Sequence, residues 1–138
     1  MSDQRRDRGR RFGPVPHGDP GPGPLMPGRS AKLLIMLAEV GRQARVVVSA
    51  GRDAYVADTD EGLVLRLAGQ ALVVRVATIA ERMPDDFKDA HPDIPWDAVR
   101  GMRNVAAHQY ERSDDDVVYQ TLVGDIPDLL VRLGIDGR

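Results

Sequence analysis

The 138-residue chain predicts an all-α protein, a four- to five-helix bundle behind a disordered N-terminal tail. Three observations point there. Apolar residues recur at the 3.6-residue spacing of a helix through most of the chain. No segment alternates as a strand would, since even Val46-Val47-Val48 falls within helical phase. Proline and glycine crowd the first 29 residues and thereafter mark short breaks. The length suits one domain, so the expected organisation is a tail over 1–29 and a helical domain over 30–138.

In the tail, Pro14, Pro16, Pro20, Pro22, Pro24 and Pro27 alternate with glycines. Such a stretch buries too little apolar surface to offset its ordering entropy. The first helix is expected from Ser30 as N-cap, with Leu33, Leu34, Met36, Leu37, Val40, Ala44 and Val47 along it, and a stop at Gly51. Residues 51–60 read as a polar connection, with Asp58 capping the next helix in a box with Glu61. The second long helix spans Glu61 to Met83, before Pro84. Leu63, Leu67, Ala71, Val74 and Thr78 share one face, and Val64, Ala68, Leu72, Val76, Ile79 and Met83 the adjacent one. So wide a stripe implies central burial, a subunit interface, or both. Residues 84–95 read as a loop with His91 on the surface. The third helix starts at Pro95 or Trp96 with Trp96 as a packing anchor. Ser113-Asp114-Asp115-Asp116 is expected to break this helix and cap the last one. Val118, Leu122, Ile126, Leu129, Leu130 and Leu133 keep one phase across Pro127, which predicts a kinked helix or two nearly collinear ones.

Composition excludes several classes. There is no cysteine, hence no disulfide or thiolate metal site. No apolar h-region follows the basic start, and no apolar run approaches the ~20 residues of a membrane span, so a soluble cytoplasmic protein is expected. Lys+Arg number 19 against 21 Asp+Glu, a formal net charge of -2. The distribution is uneven. Residues 1–30 hold six arginines against three aspartates, a net of +3, which leaves -5 on the other 108 residues.

Arg103-Asn104-Val105-Ala106-Ala107-His108-Gln109-Tyr110 gathers the chemistry. A permanently charged guanidinium can hold a phosphate oxygen, and an imidazole can move a proton near neutral pH. These are the two parts needed to cleave a phosphodiester without a metal. Asn104 and His108 lie four apart on a helix face, Arg103 and Tyr110 two turns apart. The same groups near a helix end can also be mere capping or solvated side chains.

Ile94-Pro95-Trp96 followed by Gly101-Met102-Arg103-Asn104, with Arg103, His108 and Tyr110 in the order R-x4-H-x-Y, closely resembles the signature of HepT-type toxins of the HEPN superfamily. The resemblance runs from about residue 31 to 134. It implies a HEPN-like helical bundle that forms a homodimer with two motifs facing across a cleft. It implies a metal-independent endoribonuclease, needing no cofactor, that acts as the toxin of a type VII-like toxin–antitoxin pair. The implied partner is an MntA-like nucleotidyltransferase antitoxin, which silences the toxin by AMPylation of Tyr110. Carried over, Arg103 and His108 are catalytic with Asn104 beside them, and Arg100 and Arg112 add substrate-binding charge. The family's acidic stretch on the second long helix falls at Thr78–Arg82, where Glu81 stands. The acidic body departs from what an RNA-cleaving surface leads one to expect. The competing reading is a non-catalytic HEPN module that docks a nucleotidyltransferase or binds nucleotide; a bare structural dimer is weaker still.

Overall fold

The computed structural model describes residues 28–107 and 112–135, and every described element is helical. Expectations for residues 1–27, His108 and Tyr110 lie outside the described residues. Helix α1 (Gly28–Val48), α2 (Arg52–Val56), α3 (Asp60–Arg82), α4 (Asp85–Ala90), α5 (Trp96–Ala107) and α6 (Arg112–Gln120) are followed by a π-helical turn (Thr121–Asp125) and α7 (Ile126–Arg132).

Helix α1 buries Leu33, Leu37, Val40, Ala44 and Val47, while Met36 faces solvent. Ser30 lies inside the helix and is not its cap. Gly51 ends the helix at a φ of 93°, a left-handed backbone that suits glycine, and its N–H donates to Val48 O at 2.9 Å.

The predicted polar connection contains a helix. In α2, Tyr55 is fully buried, its ring 5.1 Å from that of Tyr119. A single turn cannot persist on propensity, and here tertiary packing holds it. Arg66 of α3 donates from Nη1 to the carbonyls of Tyr55 (2.9 Å) and Ala57 (2.7 Å), satisfying the end of α2. The backbone approaches Gly62 so closely that a Cβ there would strike Ala57 O.

The cap of α3 is Thr59, not Asp58: its Oγ1 accepts from Gly62 N at 2.9 Å. Helix α3 is the central element, packed against α1, α2 and α5. By length and composition it is apolar enough to cross a membrane, which corrects the expectation that no segment is. The two faces differ. Leu72, Val76, Ile79 and Met83 are buried, whereas Leu63, Leu67 and Val74 are 49%, 56% and 36% exposed, and Val64 is exposed with them. Apolar side chains left at the surface along more than three turns are the structural residue of that wide stripe.

Residues 84–95 include α4, so they are not a plain loop. His91 is half-buried, not a surface group: its ring stacks on Phe87 at 4.3 Å, with Nδ1 3.0 Å from Phe87 O. Trp96 Nε1 donates to His91 O at 3.1 Å, and the indole packs edge-on against Phe87. Trp96 thus anchors the start of α5, as expected.

Ser113, Asp114, Asp115 and Asp116 lie within α6, not in a break, with Asp114 and Asp115 in its first turn, where acids complement the helix dipole. The path across Pro127 is continuous. Ile126 N bonds to Thr121 O, a π-type closure, and Pro127 sits in the first turn of α7, where a missing N–H costs little. One extra residue in the turn lets Val118, Leu122, Ile126, Leu129 and Leu130 all reach the core.

Candidate active site

Helix α5 lies along the C-terminal half of α3, and the contact is polar at one point. Arg103 Nη2 donates to Glu81 Oε1 at 2.7 Å and reaches Thr78 Oγ1 at 3.5 Å. Both side chains of the ion pair stay half-exposed. Among the described residues, both contacts run through one terminal nitrogen, Nη2. The Arg103 hydrogen bond and charge hold the Glu81 carboxyl below its ordinary range, and Arg100 and Lys88 pull the same way. Glu81 is therefore ionised at neutral pH.

Around this pair is a shallow groove of about 380 Å³ lined by Glu81, Asp97, Arg100, Gly101, Arg103 and Asn104. Arg100 Nη2 donates to Asp97 Oδ1 at 2.9 Å, one turn along the exposed face of α5. Asn104 is exposed in the same groove. Arg100, Arg103 and Asn104, chosen from sequence, are thus brought together. Arg112 opens α6. His108 and Tyr110 lie outside the described residues.

The partner of Arg103 was legible only in outline. Glu81 continues the 63–67–71–74–78 face by one more three-residue step, so it ends the exposed apolar stripe of α3. Spacing alone does not say which helix lies opposite; packing decides that. Elsewhere, a second and larger groove of about 480 Å³ runs between α5 and the α6–α7 rod, lined by Val99, Met102, Val105, Val117 and Leu129 among others. It is mostly apolar, with the Arg132–Asp128 ion pair (2.9 Å) on its lining.

The pattern of ribonuclease HepT-like proteins matches residues 38–133, most of the described bundle and all of the Arg103 groove. The chain belongs to the HepT-like ribonuclease family. Among HepT-like relatives, a probable ribonuclease HepT of Thermococcus cleftensis is 38% identical over 64 residues, 44% of this chain and 58% of that protein. A putative ribonuclease of Caldanaerobacter subterraneus subsp. tengcongensis is 26% identical over 54 residues, 39% of this chain and 48% of that protein. The chain therefore spans about half the length of the curated relatives it matches. No solved structure matches it. Membership of the HepT-like family agrees with the all-α bundle and with the resemblance carried by the Arg103 motif.

Proposed function

We propose that the protein is a homodimeric, metal-independent endoribonuclease, the toxin of a type VII-like toxin–antitoxin pair. One observation carries the reading. The motif arginine, Arg103, is held by Glu81 where the exposed apolar face of α3 ends. A second copy docked on that face would bring two such arginines to a shared groove, the isologous arrangement of a two-fold dimer. The names of the HepT-like relatives support RNA as substrate.

In this mechanism His108 removes the proton of a ribose 2′-hydroxyl, whose oxygen attacks the adjacent phosphorus. The P–O5′ bond breaks and the leaving oxygen takes a proton, with the second imidazole of the dimer as acid. Arg103 stabilises the charge that builds on the phosphorane-like transition state. Asn104 orients the phosphate or the imidazole, and Arg100 and Arg112 add positive charge for substrate. The products carry 2′,3′-cyclic phosphate ends, and DNA resists. Tyr110 Oη attacks the α-phosphate of ATP held by an MntA-like nucleotidyltransferase antitoxin, losing its proton as pyrophosphate leaves, and the attached AMP puts bulk and negative charge where an RNA phosphate must sit.

Purified protein incubated with single-stranded RNA in EDTA tests this. Cleavage with cyclic-phosphate termini is the expected result. Tight binding without cleavage supports the competing module that binds nucleotide without cutting. The dimer has its own test. Leu67→Asp puts a charge in the centre of the apolar stripe, so the protein should run as a monomer by light scattering, keep its helical circular dichroism and lose cleavage. A dimer that survives this change places the interface elsewhere.

A further inference from the structure

We propose that the groove between the start of α1 and the end of α3 is a second phosphate site, which grips single-stranded RNA a few nucleotides from Arg103. The proposal rests on the ribonuclease reading above. Arg29 and Lys32 from α1 and Arg82 from α3 line one groove of about 340 Å³, together with Leu33 and Met36. All three cations are exposed. The ion pairs among the described residues engage other arginines, and none of these three. Like charges gathered from two helices without an acid among them create a local positive potential that a polyanion can use.

Position makes this more than a surface patch. Arg82 follows Glu81 directly, and the Glu81 carboxylate is 2.7 Å from Arg103. Consecutive helical residues diverge by about 100°, so Arg82 points away from the Arg103 groove yet starts one residue from it. Lys88 lies close enough to Glu81 to act on its carboxyl, and Arg100 does the same from α5. The only two lysines of the chain, Lys32 and Lys88, therefore both fall at this end. Two separate groups of cations thus stand near the C-terminal end of α3, Arg100 with Arg103 in one groove and Arg29, Lys32 and Arg82 in the other. Contacts of this kind go to phosphates, so they position the strand without reading its sequence.

The test uses the full chain carrying Arg29→Gln, Lys32→Gln and Arg82→Gln together, with Arg82→Glu alone as a second variant. The probes are labelled single-stranded 2′-deoxy oligonucleotides of about twelve and about three nucleotides, which offer phosphates and no attacking hydroxyl. The triple variant should bind the longer probe at least tenfold more weakly, and its log-affinity should fall less steeply with log salt, by about 2 for three lost phosphate contacts. Affinity for the short probe should change less than twofold. Unchanged affinity and salt slope for the longer probe overturn the proposal. So does equal weakening for both lengths, or a wild type that binds both lengths alike. RNA cleavage by the wild type in EDTA is scored separately. Absent cleavage with the length-dependent loss intact removes the ribonuclease reading and keeps this site; cleavage with unchanged binding does the reverse.

Discussion

Arg103→Ala should abolish RNA cleavage while the bundle stays folded. The side chain is half-exposed and its pair with Glu81 is a surface pair, which adds little to stability. Its removal should therefore leave thermal unfolding within a few degrees of the wild type. The effect on rate is far larger. A donor aimed at developing charge is worth on the order of 10²–10³ in rate, and a guanidinium offers two donors in one plane. Arg103→Lys keeps the charge but loses the fork, so it should recover only a small part of the activity. His108→Ala should be equally silent, by loss of the proton carrier. Glu81→Gln keeps an acceptor for Arg103 Nη2 but loses the charge that fixes it, and should fall between these limits. Single-turnover cleavage of a short RNA measures all four. Wild-type rates in Arg103→Ala or His108→Ala would remove these residues from the mechanism. The pH profile follows from the same pair. With its carboxyl depressed by Arg103, Glu81 stays ionised above the ordinary carboxylate range, and the pair loosens only in acid. The Glu81–Arg103 pair should therefore contribute no rate change between about pH 6 and 8.

Tyr55→Ala should cost about 3–5 kcal/mol, the range for removing a fully buried aromatic ring. Tyr55 is 0% exposed and stands between Tyr119 and α3. Its hydroxyl lies against Gly69, so closely that a Cβ on Gly69 would strike it and crowd Leu122 as well. Among the described residues that hydroxyl has no hydrogen-bond partner. An unmet buried donor is a penalty, so Tyr55→Phe should be neutral or slightly stabilising. The pair of variants separates ring from hydroxyl. Urea denaturation is the measurement, and a large loss in Tyr55→Phe would mean that the hydroxyl is bonded after all. Alkali supplies a further check. Burial, with the Asp115 charge behind it, raises the Tyr55 phenol above its ordinary value of 10.0. A group whose folded value is raised leaves stability whole below the unfolded value. Stability is then lost as pH rises beyond about 10, because only the unfolded chain ionises freely. Tyr55→Phe should remove that part of the alkaline loss.

The long helices were legible because each carries an apolar stripe at helical spacing over several turns, a repeating signal that tertiary context reinforces. The phase shared by Val118, Leu122, Ile126 and Leu129 foretold a continuous path across Pro127, though not the π turn that provides it. The motif around Arg103 was readable for a different reason: its chemistry-bearing residues crowd one short stretch of chain. What failed was local and short. Helices α2 and α4, of five and six residues, carry no periodic signal and persist through Tyr55 in the core and Phe87 against His91 and Trp96. Asp58 and Thr59 are both good caps by type, and only the backbone geometry selects Thr59.

Sequence by itself therefore determined the helical class, the core faces of the long helices and the identity of the Arg103 motif, since each depends on residues near one another along the chain. Tertiary structure alone decided that Arg103 meets Glu81, that Leu63 and Leu67 stay uncovered, and that Arg29 and Lys32 share a groove with Arg82. Those pairings join residues many turns apart, and their geometry is set by how helices pack, which no local spacing encodes.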